Sequence, residues 1–263
     1  MSLLSSFSIR CGRSHPFPYD IDAVRHARDI DLSHPVTFFI GDNGTGKSTL
    51  LETLAFRLQL PHMDGTGYRK AGFGAARTLL PHLELQWNIE RPLGFFFRAE
   101  DFGDLLNSVQ REDARLHGFL EELQGEVPDH IIQEMKDNAN TQRYLMRKNY
   151  GQDLQGFSHG EAYLKIMGEK IADKGIFLLD EPEVALSPSK QLSLLYMIQQ
   201  NLKSNLSQFI IATHSPILMA YPGACLYEIS QEGMVRKDFS QTEHYRVTKS
   251  FLDNPGSYLR HLE

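Results

Sequence analysis

The segment GDNGTGKST at 41–49 has the residue types and spacing of a phosphate-binding loop. It fits the pattern G-x-x-x-x-G-K-[ST], in which glycines let backbone N–H groups point inward at phosphate oxygens. The pattern predicts that Lys47 bridges the outer phosphates of a nucleotide and that Ser48 is a ligand of Mg²⁺. The other predicted phosphate contacts of this loop are Gly41, Asn43, Gly44, Thr45, Gly46 and Thr49.

A pair of carboxylates ends the apolar run in GIFLLDEPE at 175–183. Asp180 lies where a buried strand would end, which is a position from which a carboxylate can hold Mg²⁺. Glu181 follows it and is a candidate general base for an attacking water. The alternative is a strand that simply ends in acidic residues. The phosphate-binding loop upstream favours the metal and base roles.

A histidine follows a third apolar run, in ATHSP at 212–216. A lone histidine is often only structural. However, ligands of open α/β folds bind in the crevice beyond the carboxyl ends of the strands, where His214 would lie. We therefore expect His214 to contact the γ-phosphate and to help position the water.

Three short apolar runs, 36–40, 176–180 and 209–213, have to position these residues. None of them alternates polar and apolar residues, which is typical of parallel strands covered on both faces. Helical patterns follow the first two runs, with apolar faces at Leu50, Leu51, Leu54 and Leu58 and at Leu194, Leu195, Ile198 and Leu202. This alternation predicts an α/β fold with a central, mostly parallel, doubly wound sheet.

The rest of the chain is expected to add to this core. Segments 5–35 and 80–98 look like further strands in an antiparallel flank, and the Gly-rich segment 60–78 looks like a loop. Residues 99–156 are polar and helix-forming, which predicts a helical lobe inserted into one domain that spans 1–263.

Composition limits the class of protein. The 263 residues are 41% hydrophobic and carry a net charge of −6. The longest apolar runs are far shorter than the roughly 20 residues that span a membrane, and we read no secretion signal at the first residues. A cytoplasmic location without membrane insertion is expected. The net charge of the chain as a whole does not indicate nucleic-acid binding, although a local basic patch could still form in the fold.

The order of these motifs, with FSHGE at 157–161 and ALSP at 185–188 among them, resembles the ABC-type ATPase superfamily. The resemblance covers about 30–220 and is to small soluble ATPases of the AAA family related to the heads of SMC, Rad50 and RecF proteins. It implies a P-loop NTPase fold. FSHGE takes the place of the family's signature loop, ALSP that of the D-loop, and His214 that of the switch histidine.

This resemblance further implies ATP and Mg²⁺ as cofactors and a head-to-tail homodimer that forms on ATP binding. Each ATP would rest on one subunit's phosphate-binding loop and meet Ser158 and Gly160 contributed in trans. The implied function is an ATP-hydrolysing, dimerising switch in DNA repair or defence, with DNA, RNA or another protein as its partner.

The chain also departs from the family pattern. His159 and Glu161 replace residues of the usual L-S-G-G-Q, although Ser158 and Glu161 fit a capping box that begins a helix. That helix start is expected to face solvent in a monomer. No clear Q-loop glutamine is present.

Glu100 is the candidate for the position of that glutamine and for a metal ligand, and Arg98 for a phosphate contact. The alternative for both is a pair of surface charges at a strand end. Phe17 and Tyr19 are candidates for stacking on adenine.

Two other functions stay open from the sequence: the ATPase subunit of an ABC transporter, and a P-loop kinase acting on a small molecule. The altered signature argues against the first, and the signature-like and D-loop segments argue against the second. A closing helix is expected over 242–254, with His244 and Tyr245 in packing roles.

Overall fold

The computed structural model describes residues 3–10, 16–62, 73–87, 93–102, 159–171, 174–204 and 206–260. The predicted helical lobe therefore lies outside the described residues from 103 onward. The strands are β1 (Leu4–Ile9), β2 (Ile30–Asp31), β3 (Val36–Gly41), β4 (Leu83–Trp87), β5 (Gly94–Arg98), β6 (Ile176–Asp180), β7 (Gln208–Ala212), β8 (Cys225–Ser230) and β9 (Gly233–Lys237). The α-helices are α1 (Asp22–Arg25), α2 (Lys47–Leu58), α3 (Gly74–Leu79), α4 (His159–Lys170), α5 (Pro188–Ser204), α6 (Pro216–Met219), α7 (Glu243–Asp253) and α8 (Pro255–Leu259).

The central sheet has the strand order β5-β6-β7-β3-β8-β9. Neighbouring strands from β5 to β8 pair in parallel, and β9 returns antiparallel to β8. The three strands predicted from apolar runs are β3, β6 and β7, each within one residue of its predicted bounds. Because β7 lies between β3 and β6, the residues that follow these three strands meet at one edge of the sheet.

Both faces of this sheet are covered, which explains the unbroken apolar runs. Phe39 on one face joins a core with α1, α2 and β1, whereas Phe38 and Ile40 on the other face join a core with α4 and α5. The predicted helix faces are buried or partly buried in these two cores. The predicted α/β fold with a mostly parallel sheet is confirmed.

Two predictions about the flank need correction. The antiparallel flank exists as a second sheet of order β2-β1-β4, but β5 does not belong to it. Instead β5 pairs in parallel with β6, because Phe95, Phe96 and Phe97 are buried and need cover on both faces. Part of the predicted loop 60–78 is also helical, since α3 buries Ala76 and Leu79 against the core.

A buried glutamine ties the two sheets together. The Gln208 Oε1 atom accepts from the Leu4 backbone N–H at 2.8 Å, and its Nε2 donates to the Leu4 carbonyl at 3.1 Å and to the Leu32 carbonyl. Gln208 is fully buried, so these bonds satisfy polar groups that water cannot reach. The tie fixes β1 of the second sheet against the start of β7.

Within the described ranges, no helix is long and apolar enough to cross a bilayer.

Candidate active site

The phosphate-binding loop lies between the end of β3 and the start of α2, as its motif predicted. Lys47 is the first residue of α2, and its Nζ donates to the carbonyls of Gly41 at 2.8 Å and Asp42 at 2.9 Å. The Thr45 hydroxyl donates to the same Asp42 carbonyl at 2.8 Å. The loop is therefore closed around the Lys47 ammonium, at the positive end of a twelve-residue helix.

Gly46 cannot be replaced within this loop without strain. Its φ is +92°, and a Cβ built there would lie 2.1 Å from Cγ2 of Ile21. The Ala23 N–H also donates to the Thr45 carbonyl at 2.9 Å. The segment before and within α1 thus braces the loop, a contact that the motif alone did not reveal.

Burial lowers the pKa of the Lys47 ammonium, and the carboxylates of Glu181 and Asp180 oppose this. Lys47 therefore faces the acid pair across the loop. The structure brings together the two motifs that the sequence placed about 130 residues apart, because β3 and β6 end at the same sheet edge.

Asp180 is 5% exposed at the end of β6. Burial raises its pKa to about 6, and a hydrogen bond from Ser48 moderates the rise. Its Oδ1 atom is buried and has no hydrogen-bond partner among the described residues. An orphaned carboxylate oxygen beside a serine hydroxyl and the phosphate loop fits a divalent cation held mainly by oxygen ligands.

Glu181 follows with a left-handed backbone, φ 49°, which is uncommon for a residue with a side chain. Its N–H donates to the Ala212 carbonyl at 2.9 Å, which fixes this turn to the end of β7. Its Oε1 atom then faces His214 Nε2 at 3.5 Å. Backbone strain of this kind clusters at functional sites.

His214 lies past the end of β7, between the two motifs. Its backbone N–H donates to Oε1 of Glu183 at 2.6 Å, and its Nδ1 lies 3.3 Å from Nε2 of His244. Burial lowers the pKa of His214, and the Lys47 charge lowers it further, against the opposing effect of Glu181. The ring is therefore neutral near pH 7.

Two neighbours of His214 were missed from the sequence. His244 was expected only to pack, but α7 places its ring at the histidine of the site. Glu183 was not singled out, although it holds the His214 backbone and burial raises its pKa. The spacing of the motifs did not indicate His244, because the β8–β9 hairpin separates α7 from the end of β7 in the chain. The acidic run EPE was the available signal for Glu183.

Arg98 and Glu100 lie beside the acid pair at the end of β5. Arg98 is the register partner of Asp180. Its Nη1 donates to Oε1 of Glu52 at 2.7 Å, and its Nη2 pairs with Glu100. Both terminal nitrogens of the guanidinium thus contact carboxylates. A phosphate contact by Arg98 and a metal contact by Glu100 stay predictions.

The signature segment is only partly described. Ser158 lies outside the described residues, and α4 begins at His159, where the capping box predicted a helix start. Gly160 is buried rather than solvent-facing, which corrects that expectation. A Cβ at Gly160 would lie 2.9 Å from the Ala185 carbonyl oxygen and 2.9 Å from Lys190 Cδ, so the predicted D-loop covers it.

The adenine candidates lie in the segment that braces the phosphate loop. Phe17 is 68% exposed, whereas the Tyr19 ring packs edge-on against His82 with centroids 5.3 Å apart. Phe17 is thus the candidate with an accessible ring face, and its stacking role stays a prediction.

Two family models match the chain, and they cover both halves of this site. A family described as "AAA domain" matches 13–66, which includes the phosphate loop and its brace. A family described as "AAA domain, putative AbiEii toxin, Type IV TA system" matches 166–220, which includes Asp180, Glu181 and His214.

Individual proteins show more distant similarity. Protein ea59 of Escherichia phage lambda is 31% identical over 91 residues, which are 34% of this chain and 16% of that protein. This chain therefore spans only a small part of that relative. The SMC head domain from Thermotoga maritima is 15% identical, with a TM-score of 0.46 over 90% of this chain and 100% of that one.

A third solved structure is cbiO1 from Clostridium perfringens, described as part of the ABC transporter complex cbiONQ. It is 15% identical, with a TM-score of 0.45 over 99% of this chain and 98% of that one. The phosphate loop, the acid pair, the histidine and the strand order that unites them agree with the family matches: in these two segments the chain resembles P-loop ATPases of the AAA kind.

Proposed function

We propose that the protein binds and hydrolyses Mg-ATP and that ATP closes two copies into a head-to-tail dimer. One observation carries the hydrolytic part. Lys47, the Ser48–Asp180 pair and the Glu181–His214 pair converge at one edge of three strands. Their chemistry suits cleavage of the bond to a γ-phosphate by water.

Each residue has a role in this proposal. Lys47 exchanges the carbonyls of Gly41 and Asp42 for phosphate oxygens, which are stronger acceptors. Ser48 and Asp180 would hold Mg²⁺, which when bound neutralises charge on the β- and γ-phosphates. Glu181 takes the proton of the attacking water.

His214 is placed to stabilise the γ-phosphate. A neutral imidazole that donates from Nε2 can bond a phosphate oxygen, and this nitrogen already faces Glu181 at 3.5 Å. In this proposal the same side chain orients the base and also contacts the phosphate. Glu183 fixes the backbone of His214 for this purpose.

The dimer is supported by the motif order and by the packing of the signature helix. α4 begins against the segment 185–190, so the two elements predicted to meet the opposite subunit form one unit. In this proposal Ser158 reaches the γ-phosphate in trans, the buried Gly160 holds the helix start against 185–190, and loss of that phosphate opens the pair.

The test is light scattering and ATP turnover of a Glu181→Gln variant. Gln keeps the size of the side chain but cannot accept a proton, so we expect turnover to fall at least about 100-fold. Nucleotide binding stays, and the variant becomes a dimer in Mg-ATP. Adding Ser158→Arg should abolish the dimer.

Each part can fail separately. Undiminished turnover in Glu181→Gln would contradict the base role. A monomer at saturating Mg-ATP would contradict the dimer. Turnover that requires a small acceptor molecule would favour a kinase instead.

For the biological process, the sequence left DNA repair and defence open. The family matched at 166–220 carries a description that names a toxin–antitoxin system, which favours defence for this chain. Growth of cells that express the wild type or Glu181→Gln tests this. Growth arrest that requires Glu181 supports a toxic, ATP-driven role, and unaffected growth in both contradicts it.

A further inference from the structure

The contact between His214 and His244 has no role in the function proposed so far. Nδ1 of His214 and Nε2 of His244 are 3.3 Å apart, with ring centroids 5.4 Å apart and planes inclined by 49°. A hydrogen bond between two neutral imidazoles needs one protonated and one unprotonated nitrogen. The groups around the two rings decide which of the two facing nitrogens carries the proton.

The other nitrogen of His214 faces a carboxylate. Nε2 lies 3.5 Å from Oε1 of Glu181, and an ionised carboxylate only accepts hydrogen bonds. A lone pair on Nε2 would therefore face another acceptor. Nε2 of His214 makes no hydrogen bond among the described residues, but the carboxylate that it faces favours a proton there, which leaves Nδ1 as the acceptor toward His244.

His244 fits the matching tautomer. Its Nδ1 is buried and lacks a hydrogen-bond partner in the described part of the chain. A buried N–H without a partner is costly, so the single proton of a neutral His244 belongs on Nε2, facing His214. Burial lowers the pKa of both rings, and Lys47 adds to this, against Glu181 at His214 and Glu228 at His244.

The position of His244 is fixed from both sides. The fully buried Thr242 caps α7 and accepts from the Tyr245 N–H at 3.3 Å. The Glu243 N–H donates to Oε1 of Glu228 at 2.9 Å, and Glu228 is held by Lys237. The first turn of α7 is thus anchored to the β8–β9 hairpin, although the helix itself has no buried residue.

We propose that His244 is a positioning residue: its Nε2–H donates to Nδ1 of His214 and holds His214 in the tautomer that presents Nε2–H to Glu181 and to the γ-phosphate. The catalytic consequence rests on the proposed ATP hydrolysis, but the tautomer pair does not. In the opposite tautomer, the unprotonated Nε2 of His214 would face the phosphate, and it could not donate a hydrogen bond to a phosphate oxygen. Loss of tautomer control is known to reduce catalysis by histidine strongly.

The kinetic test compares His244→Gln with His244→Met. The two side chains have similar length and shape, but only Gln carries an N–H donor near the position of Nε2. We expect His244→Met to lower kcat about tenfold, whereas KM stays within about twofold, because only the chemical step uses the contact. His244→Gln should restore kcat to within about threefold of the wild type.

Three comparisons sharpen the result. Val247→Ala, on an exposed position of the same helix, should leave kcat unchanged. In a His214→Ala background, His244→Met should cause no further loss, because the two residues act as one unit. Equal losses in the Gln and Met variants would show a packing role and overturn the proposal, as would an undiminished kcat in His244→Met.

Tautomers of ¹⁵N-labelled histidines, measured by long-range ¹H–¹⁵N correlation without nucleotide, give a readout independent of hydrolysis. We expect the Nε2–H tautomer for both rings in the wild type and a mixture for His214 in His244→Met. An Nδ1–H tautomer of His214 in the wild type would overturn the proposal. A wild type that hydrolyses no ATP would remove the proposed function, and the tautomer measurement would still decide the histidine pair.

Discussion

At the scale of single residues, the carboxylate of Asp180 imposes a cost on the nucleotide-free protein. Its pKa is about 6 in the fold, against an ordinary value of 3.8. Between these values the unfolded chain loses the proton and the folded chain keeps it. The free energy of unfolding therefore falls as pH rises from about 4 to about 6 and stays lowered above that range.

We predict that Asp180→Asn stabilises the nucleotide-free protein at pH 7.5 while abolishing Mg²⁺-dependent nucleotide binding. The pKa difference corresponds to a gain of up to about 3 kcal/mol in the free energy of unfolding. The gain should shrink as pH is lowered toward 4, where both states hold the proton. Urea unfolding at several pH values measures it.

The matched control is Asp42→Asn, because Asp42 is also in the phosphate loop region but is exposed. It should change the free energy of unfolding by less than about 0.5 kcal/mol. An Asp180→Asn variant that is less stable than the wild type at pH 7.5 would show that Asp180 is held favourably without a cation.

At the scale of elements, Gly160 sets the distance between α4 and the segment before α5. Any side chain at this position meets the Ala185 backbone, which cannot move as a flexible side chain can. The signature helix and the predicted D-loop can therefore lie in contact only with glycine here. This close approach couples two elements that the proposed dimer needs together.

We predict that Gly160→Ala destabilises the protein by about 1–3 kcal/mol, although alanine favours helices more than glycine does. Gly168→Ala on the same helix is the control. A Cβ there meets only the terminal methyl of Met197 at 3.1 Å, so the helix preference should prevail and stability should stay or rise. Thermal unfolding of both variants measures the contrast, and a stabilised Gly160→Ala would contradict it.

The sequence predicted those elements whose local pattern matches their environment. β3, β6, β7 and the apolar faces of α2 and α5 were found because burial on both faces of a parallel sheet leaves a clear signature. The start of α4 was predicted from its capping box, and the helix buries Tyr163, Ile166 and Met167.

Pairing partners were harder to predict. β5 was assigned to the wrong sheet because an apolar run does not specify its neighbour. α3 was missed because its short length and the glycines of the segment 60–78 hide the helical pattern. At the site, the motif residues were predicted, whereas His244 and the brace at Ile21 depend on tertiary contacts that no spacing encodes.

At the scale of the whole molecule, the proposed sites are composite, which allows complementation between defective copies. Lys47→Ala removes a subunit's own phosphate contact, and Ser158→Arg removes the contact given to its partner. A mixed dimer of these two variants keeps one intact site, made of one wild-type phosphate loop and one wild-type signature.

We predict that an equal mixture of the two inactive variants recovers up to about half of the wild-type turnover, since neither variant pairs with itself and each mixed dimer has one working site of two. Each variant alone should be inactive. Titration of one variant against the other, with turnover as the readout, checks this. Turnover that stays at zero at every ratio would show that the two defects do not lie in separate halves of a shared site.

The burial of Asp180 also bears on how long the protein survives in a cell. A chain whose native state carries an unfavourable charge unfolds more often, and cellular proteases degrade chains while they are unfolded. Ligands that bind only the folded state reduce that exposure. Under the proposed function, the supply of magnesium and nucleotide would then set the abundance of the protein as well as its activity.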